Sequence, residues 1–205
     1  GAIDVAGTPG GAYATYLDME GSAKNEADLI LRYRSMALYP EAEIAIDDIV
    51  NDAVVADREQ APVSLNLTNV NISPDIKTKI SENFQDILGL LKFNDTAFDT
   101  FRKWYVDGRL YYHIIIDQEN PKKGILELRP IDSLKIRKVR QILPPKDPSQ
   151  PSLMPRVEEY FAFNEAGMDG KQGGQVMRIA SDSVAYCHSG LLNEDKRMVL
   201  SYLHK

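Results

Sequence analysis

Phe101-Arg-Lys-Trp-Tyr-Val-Asp-Gly-Arg-Leu-Tyr-Tyr-His-Ile-Ile-Ile-Asp117 changes its pattern halfway, and that change decides the fold. Upstream, Ala97, Phe98, Phe101, Trp104 and Tyr105 recur at three- and four-residue steps, which places them on one helical face. Gly108 offers a left-handed stop that a residue with a side chain resists. Downstream, Leu110 to Ile116 is aromatic and β-branched and reads as a buried strand. A helix handed by one glycine into a strand builds a helix-on-sheet core, and the aromatic residues read as its packing.

Further upstream the chain is helical in pattern. Residues 24–39 place Leu29, Ile30, Tyr33, Met36 and Ala37 on one face. Pro40 ends that helix and suits the first turn of another, running to about Val55 with Ala42, Ala45, Ile46, Ile49, Val50, Ala53 and Val54 as its stripe. Glu41 and Glu43 sit at its positive end. The alternation of Val63, Leu65 and Leu67 predicts a half-buried strand over 62–67. Ser73-Pro74 starts a helix to about Leu91 that buries Ile76, Ile80, Phe84, Ile87, Leu88 and Leu91, and Asn94 is expected to cap the next. Residues 1–22, rich in glycine and without apolar period, read as a flexible arm.

Downstream, 117–124 is a hairpin turn, and strands follow over 125–128 and 134–143, separated by the Pro130-Ile-Asp132 bend. Residues 144–156 are dense in proline and read as a stiff exposed loop. Strands over 157–163 and 175–180 flank a glycine-rich loop, and 184–187 forms one more. Met198 to Lys205 is helix-compatible and ends without a cap, and with Gly1 in place of Met the chain reads as an internal piece of a longer one. The expected architecture is α+β, with N-terminal amphipathic helices on a mainly antiparallel sheet, in one domain over 23–205.

The net charge of −6 argues against a surface that wraps DNA without sequence preference. One cysteine, Cys187, excludes an internal disulfide framework and a cysteine-rich metal site. No run of 18 apolar residues is present to span a membrane. Lys135, Arg137, Lys138 and Arg140 form the one dense basic cluster, with Arg129 and Arg109 near in sequence. Its partners are phosphates, an acidic neighbouring chain, or simply the acids around it.

Catalytic patterns are missing. Asp47, Asp48 and Asp52 have no histidine near them in sequence and read as a solvated helix face. Cys187 and His188 are adjacent on a strand and so point to opposite faces, which prevents a thiolate–imidazole couple. His113 lies inside a strand, and His188-Ser-Gly190 lacks the first glycine of a nucleophile elbow. Gly7-Thr-Pro-Gly-Gly11 lacks the Lys-Ser/Thr pair of a phosphate loop. No enzyme, metal or cofactor is expected.

Arg102-Lys-Trp-Tyr-Val-Asp-Gly-Arg109, Tyr112-His-Ile-Ile-Ile-Asp117, Gly124-Ile-Leu-Glu-Leu-Arg-Pro-Ile-Asp132 and Ile136-Arg-Lys-Val-Arg140 together resemble the portal vertex protein of T-even-type contractile-tailed phages, the cyanophage versions most of all. Tyr186-Cys-His-Ser-Gly-Leu191 and Tyr202-Leu-His204 fit in the same order, so the resemblance runs from about Ala23 to the end. It implies the outer wing of a subunit, ending where a stem-leading helix begins, with stem, clip and crown outside this chain. It further implies a dodecameric ring in the virion at one capsid vertex, assembled in the host cytoplasm. Such a ring contacts the major capsid protein, the terminase large subunit and the neck proteins, and double-stranded DNA passes through it during packaging and ejection. The alternative, from a different class, is a metal-dependent phage nuclease or another nucleic-acid-processing domain, which requires convergent carboxylates beside a basic groove.

Overall fold

The computed structural model describes residues 3–5, 25–54, 61–143, 156–168, 175–194 and 198–204. Among these residues four α-helices precede or enter two sheets, an α+β arrangement as the sequence predicts. Helix α1 covers 25–36, and a short turn leads to α2, Pro40–Ala53, with Pro40 in its first turn. Helix α3 is Pro74–Leu91 and α4 is Phe93–Asp107. The strands are β1, Ile3–Val5; β2, Arg109–Ile116; β3, Ile125–Ile131; β4, Ile136–Leu143; β5, Arg156–Phe163; β6, Met177–Ala180; and β7, Val184–His188.

Helix α4 stops at Gly108, which sits at φ 73°, and its N–H donates to the Trp104 carbonyl at 2.8 Å. A Cβ there would lie 2.6 Å from the Leu200 carbonyl oxygen, so both conformation and space demand glycine. The next residue begins β2. This strand is central in a three-stranded antiparallel sheet ordered β3-β2-β7. Pro130 is tolerated in β3 because that strand is an edge. The second sheet is ordered β1-β4-β5-β6, antiparallel except for β1, which runs parallel to β4 with Ile3 opposite Val139. Part of the expected N-terminal arm is therefore a strand, because the edge of β4 offers it a hydrogen-bonding partner; the rest lies outside the described residues. So do residues 144–155 of the proline-rich loop.

The apolar core has a helical part and a sheet part. Tyr33, Ala37, Ile46, Val50 and Val106 pack between α1, α2 and α4. Tyr111, Ile136, Phe161 and Val184 pack between the sheets, where the rings of Tyr111 and Tyr186 stack 4.8 Å apart and Phe161 meets both edge-on. A smaller cluster of Val139, Ala162 and Met168 lies beyond.

Four local readings are corrected. Residues 62–67 pair with no strand among the described residues; the alternation is real, but Val63 and Leu65 stay exposed and no described sheet edge reaches them. Helix α3 forms over the expected range yet buries none of its residues, because α4 and β3 touch only one side of it. Ser73 is its N-cap by position, with no side-chain cap bond. Asn94 does not cap α4: a single left-handed residue, Lys92 at φ 49°, separates α3 from α4. Finally, 198–204 is not helical. It folds back: Leu200 N–H donates to the Leu191 carbonyl at 2.9 Å, the Ser201 hydroxyl donates to the Tyr105 carbonyl at 3.0 Å, and Tyr202 stacks on Tyr105 and leans on Trp104. Backbone pairing with 191–193 and aromatic contact with α4 outweigh the weak helix propensity of this short segment.

Candidate assembly surface

The strand Ile136–Leu143 carries most of the predicted basic cluster, and the structure divides it. Arg137 points inward and is 1% exposed. Its Nε lies 3.0 Å from the Glu26 carboxylate, and its Nη1 donates to the carbonyls of Ile136, at 2.6 Å, and Ser133. It cannot meet phosphate or another chain, and the expectation that it belongs to a contact surface is corrected. Lys135 pairs with Glu165 at 2.6 Å, Lys138 pairs with Glu159 at 2.8 Å, and Arg140 is exposed with Glu159 opposite in register. Arg129, on the edge strand β3, is held in a two-toothed pair by Glu127 at 2.9 and 3.0 Å. The acids around the cluster are thus its nearest partners.

Arg109 is buried as well. Its Nη2 donates to the Val199 carbonyl at 2.6 Å, its Nε to the Asp107 carbonyl at 3.2 Å, and its Nη1 faces Glu26. Glu26 therefore bridges two buried arginines. Beside them Arg34 clamps Asp107 through two bonds, at 2.9 and 2.7 Å, and reaches Asp132 at 2.8 Å. The six groups balance in charge. They come from α1, the end of α4, the start of β2, the β3–β4 turn and β4, so the elements of the helical core and of the sheet core are tied through ions. Burial pulls the basicity of Arg109 and Arg137 down, but arginine starts so high that both stay charged. The Asp107 bonds push Arg34 further up. Burial raises the Asp132 carboxyl, yet Arg34 and the Leu134 N–H more than offset it and hold it below the usual carboxylate range.

This network was not read from the sequence. A signal existed. Glu26, Ile30, Tyr33, Arg34 and Ala37 fall on one side of α1, so two charges sit in the apolar stripe. A charge at a core position has to find its counter-charge inside the fold.

The remaining polar candidates do not converge. Asp47 accepts from Arg102 at 3.1 Å, whereas Asp48 and Asp52 are exposed on α2. His113 lies on β2 opposite Arg129, on the wall of a groove of about 530 Å³ between the sheets. The Nδ1 of His188 accepts from the Gly190 N–H at 3.0 Å, next to an exposed Cys187, and the Nδ1 of His204 lies 2.6 Å from the Tyr33 hydroxyl. Burial pulls His188 down from its ordinary value. Among the described residues no three His, Cys, Asp or Glu side chains gather to hold a metal, and no helix is long and apolar enough to cross a membrane. What this geometry provides is a surface with exposed charged and apolar faces.

Residues 26–205 match the family model described as Bacteriophage T4-like portal protein (Gp20). The chain is 34% identical over 193 residues to the portal protein of Vibrio phage KVP40, an alignment covering 87% of this chain and 36% of that protein. It is 42% identical over 125 residues to the portal protein of Salmonella phage ViI, covering 60% of this chain and 22% of that one. The chain spans about a third of the length of the KVP40 relative. The match begins at Glu26, the acid that holds the two buried arginines, and covers every element that the six-charge network joins: this chain belongs to the T4-like portal protein family.

Proposed function

We propose that this chain is the wing region of a structural portal subunit without catalytic activity. The subunit assembles into a dodecameric ring in the host cytoplasm and occupies one vertex of the phage capsid. The family match over 26–205 carries this reading. The ring is a conduit for double-stranded DNA during packaging and ejection, and it docks the terminase large subunit, the neck proteins and the major capsid protein. The charge distribution supports a body that stays clear of DNA. Its net charge is −6, and Arg109, Arg137, Lys135 and Lys138 are engaged by acids or carbonyls of the chain itself. A conduit needs DNA to slide, and each fixed phosphate contact would add to affinity and oppose that.

Negative-stain imaging of the full-length polypeptide tests the ring directly: closed rings with a central hole are expected, and monomers or open filaments alone would refute it. The exposed Arg140, with the half-buried Lys135 and Lys138 and the acids they pair with beside it, then meets an acidic surface on the neighbouring subunit or the shell. Arg140→Glu is expected to lower ring yield or seating in the head while leaving the fold intact. A mobility shift of duplex DNA at submicromolar protein and physiological salt, abolished by Arg140→Glu, would favour DNA contact instead.

A further inference from the structure

Strand β1 is three residues long and lies on the edge of β4, parallel to it. The register sets Ile3 opposite the buried Val139, Asp4 opposite the exposed Arg140, and Val5 opposite Gln141. An acid thus stands at the register position of the one arginine of the basic strand that remains at the surface. Without β1, this side of β4 is an open row of peptide groups, a template for any strand of matching sequence. The two strands stand more than a hundred residues apart in the chain, and a parallel pair is not closed by a tight turn, so no local connection dictates which copy supplies the strand. Residues 6–24 link β1 to α1. A link of that length reaches about 60 Å when fully extended, whereas a folded chain of this size is roughly 40 Å across. The strand can therefore reach the β4 edge of an adjacent copy as well as its own.

We infer that in the ring the strand Ile3–Val5 of one copy lies on β4 of the next, in the same register, so that the acid Arg140 meets is Asp4 of the adjacent copy. This rests on the ring reading above and names the acidic surface at that site. Exchange keeps every backbone bond and the Asp4–Arg140 register of the single chain, and exchange of an identical element is a low-cost route to association. A closed ring needs a head-to-tail contact between two unlike, complementary surfaces. A donated strand and an accepting edge are such a pair, and each copy gives one and takes one. Three residues form too few bonds to hold two free molecules together. Once other contacts bring the copies side by side, the neighbour's edge is present at high effective concentration and a short strand suffices.

The test uses the full-length polypeptide with its native cysteines, Cys187 included, replaced by serine. Asp4→Cys and Arg140→Cys are combined in one chain, which is assembled, oxidised and run on a denaturing gel without reductant. A ladder of covalent dimers, trimers and larger species is expected. Rings whose chains run only as monomers, bridged internally or not at all, would overturn the exchange and leave the ring standing. A ladder that stops at dimers would show reciprocal pairing and overturn it equally. If the parent forms no ring, the ring reading falls and takes this contact with it. A charge exchange gives a second measure that needs no disulfide. Asp4→Arg alone and Arg140→Asp alone each set like charges opposite one another and lower ring yield. Mixed before assembly, alternating copies restore both opposite-charge contacts between chains, so the yield of rings recovers. Within one chain the mixture would restore nothing. A mixture no better than its components, or either variant assembling as well as the parent, contradicts the exchange.

Discussion

Arg137 and Lys138 are neighbours on one strand, and each is paired with a glutamate at about hydrogen-bond distance, 3.0 Å for one and 2.8 Å for the other. The first pair lies in the seam between helices and sheets, shut from water. The second lies on the outer face, with Glu159 43% exposed. Distance alone does not distinguish them; solvent does. In the seam, breaking a pair strands a charge where nothing can solvate it, whereas outside, water takes the place of either partner.

The sharpest way to break this contrast is Glu26→Ala, which leaves Arg109 and Arg137 facing each other without their shared carboxylate. A loss of about 3–5 kcal/mol is expected from urea denaturation, enough to unfold many domains of this size. A loss below about 1 kcal/mol would mean that water reaches the seam. Gly108→Val comes next, because the residue between Asp107 and Arg109 sets how the seam is threaded. Positive φ and the Leu200 carbonyl at 2.6 Å together predict a cost of about 2–4 kcal/mol, visible as a melting temperature several degrees lower. An unchanged melt would deny the left-handed stop.

Asp132 sharpens the contrast at its margin, being bonded to Arg34 while still 41% exposed. Its folded pKa is depressed, so its contribution is present above the unfolded carboxylate value and fades as pH falls through the folded one. Acid titration should therefore destabilise the parent below the usual carboxylate range, and Asp132→Asn should flatten that part of the stability curve. An identical acid limb in both proteins would exclude the Arg34 contact as the source. Lys138→Ala is the smallest effect, about 0.5 kcal/mol or less in the same denaturation experiment. A loss comparable with that of Glu26→Ala would erase the distinction between the two pairs.

What was legible in the sequence is what is local. The α4–Gly108–β2 handover is written in adjacent residues, and its period changes at the glycine. Helix α3 was equally legible as a helix, but periodicity reports which side is apolar and not whether anything covers it; Ile76 and Ile87 remain open. The alternation over 62–67 misled for the same reason, since a strand needs an edge to pair with, and no local pattern supplies one. The six-charge network was hidden because its members stand far apart in sequence. Arg137 looked like one more residue of a basic run, and the acid that pairs with it inside the fold, Glu26, stands more than a hundred residues earlier. Adjacency on a strand did settle Cys187 and His188, because alternation fixes opposite faces without help from the rest of the fold.

The folded-back segment 198–204 gives the molecule an optical gauge of its own. Trp104 is the one indole in the chain, and it sits between Phe101, with ring centres 5.4 Å apart, and Tyr202 at 5.3 Å. Excited Tyr202 and Tyr105 lie close enough to pass their energy to it, so emission from this chain reports whether 198–204 is seated on α4. Lifting that segment wets the indole and shifts its emission to longer wavelength, and it also takes the Val199 carbonyl away from the buried Arg109. The emission of one tryptophan therefore reports the seating of 198–204 and, through Val199, the closure of the buried ionic seam.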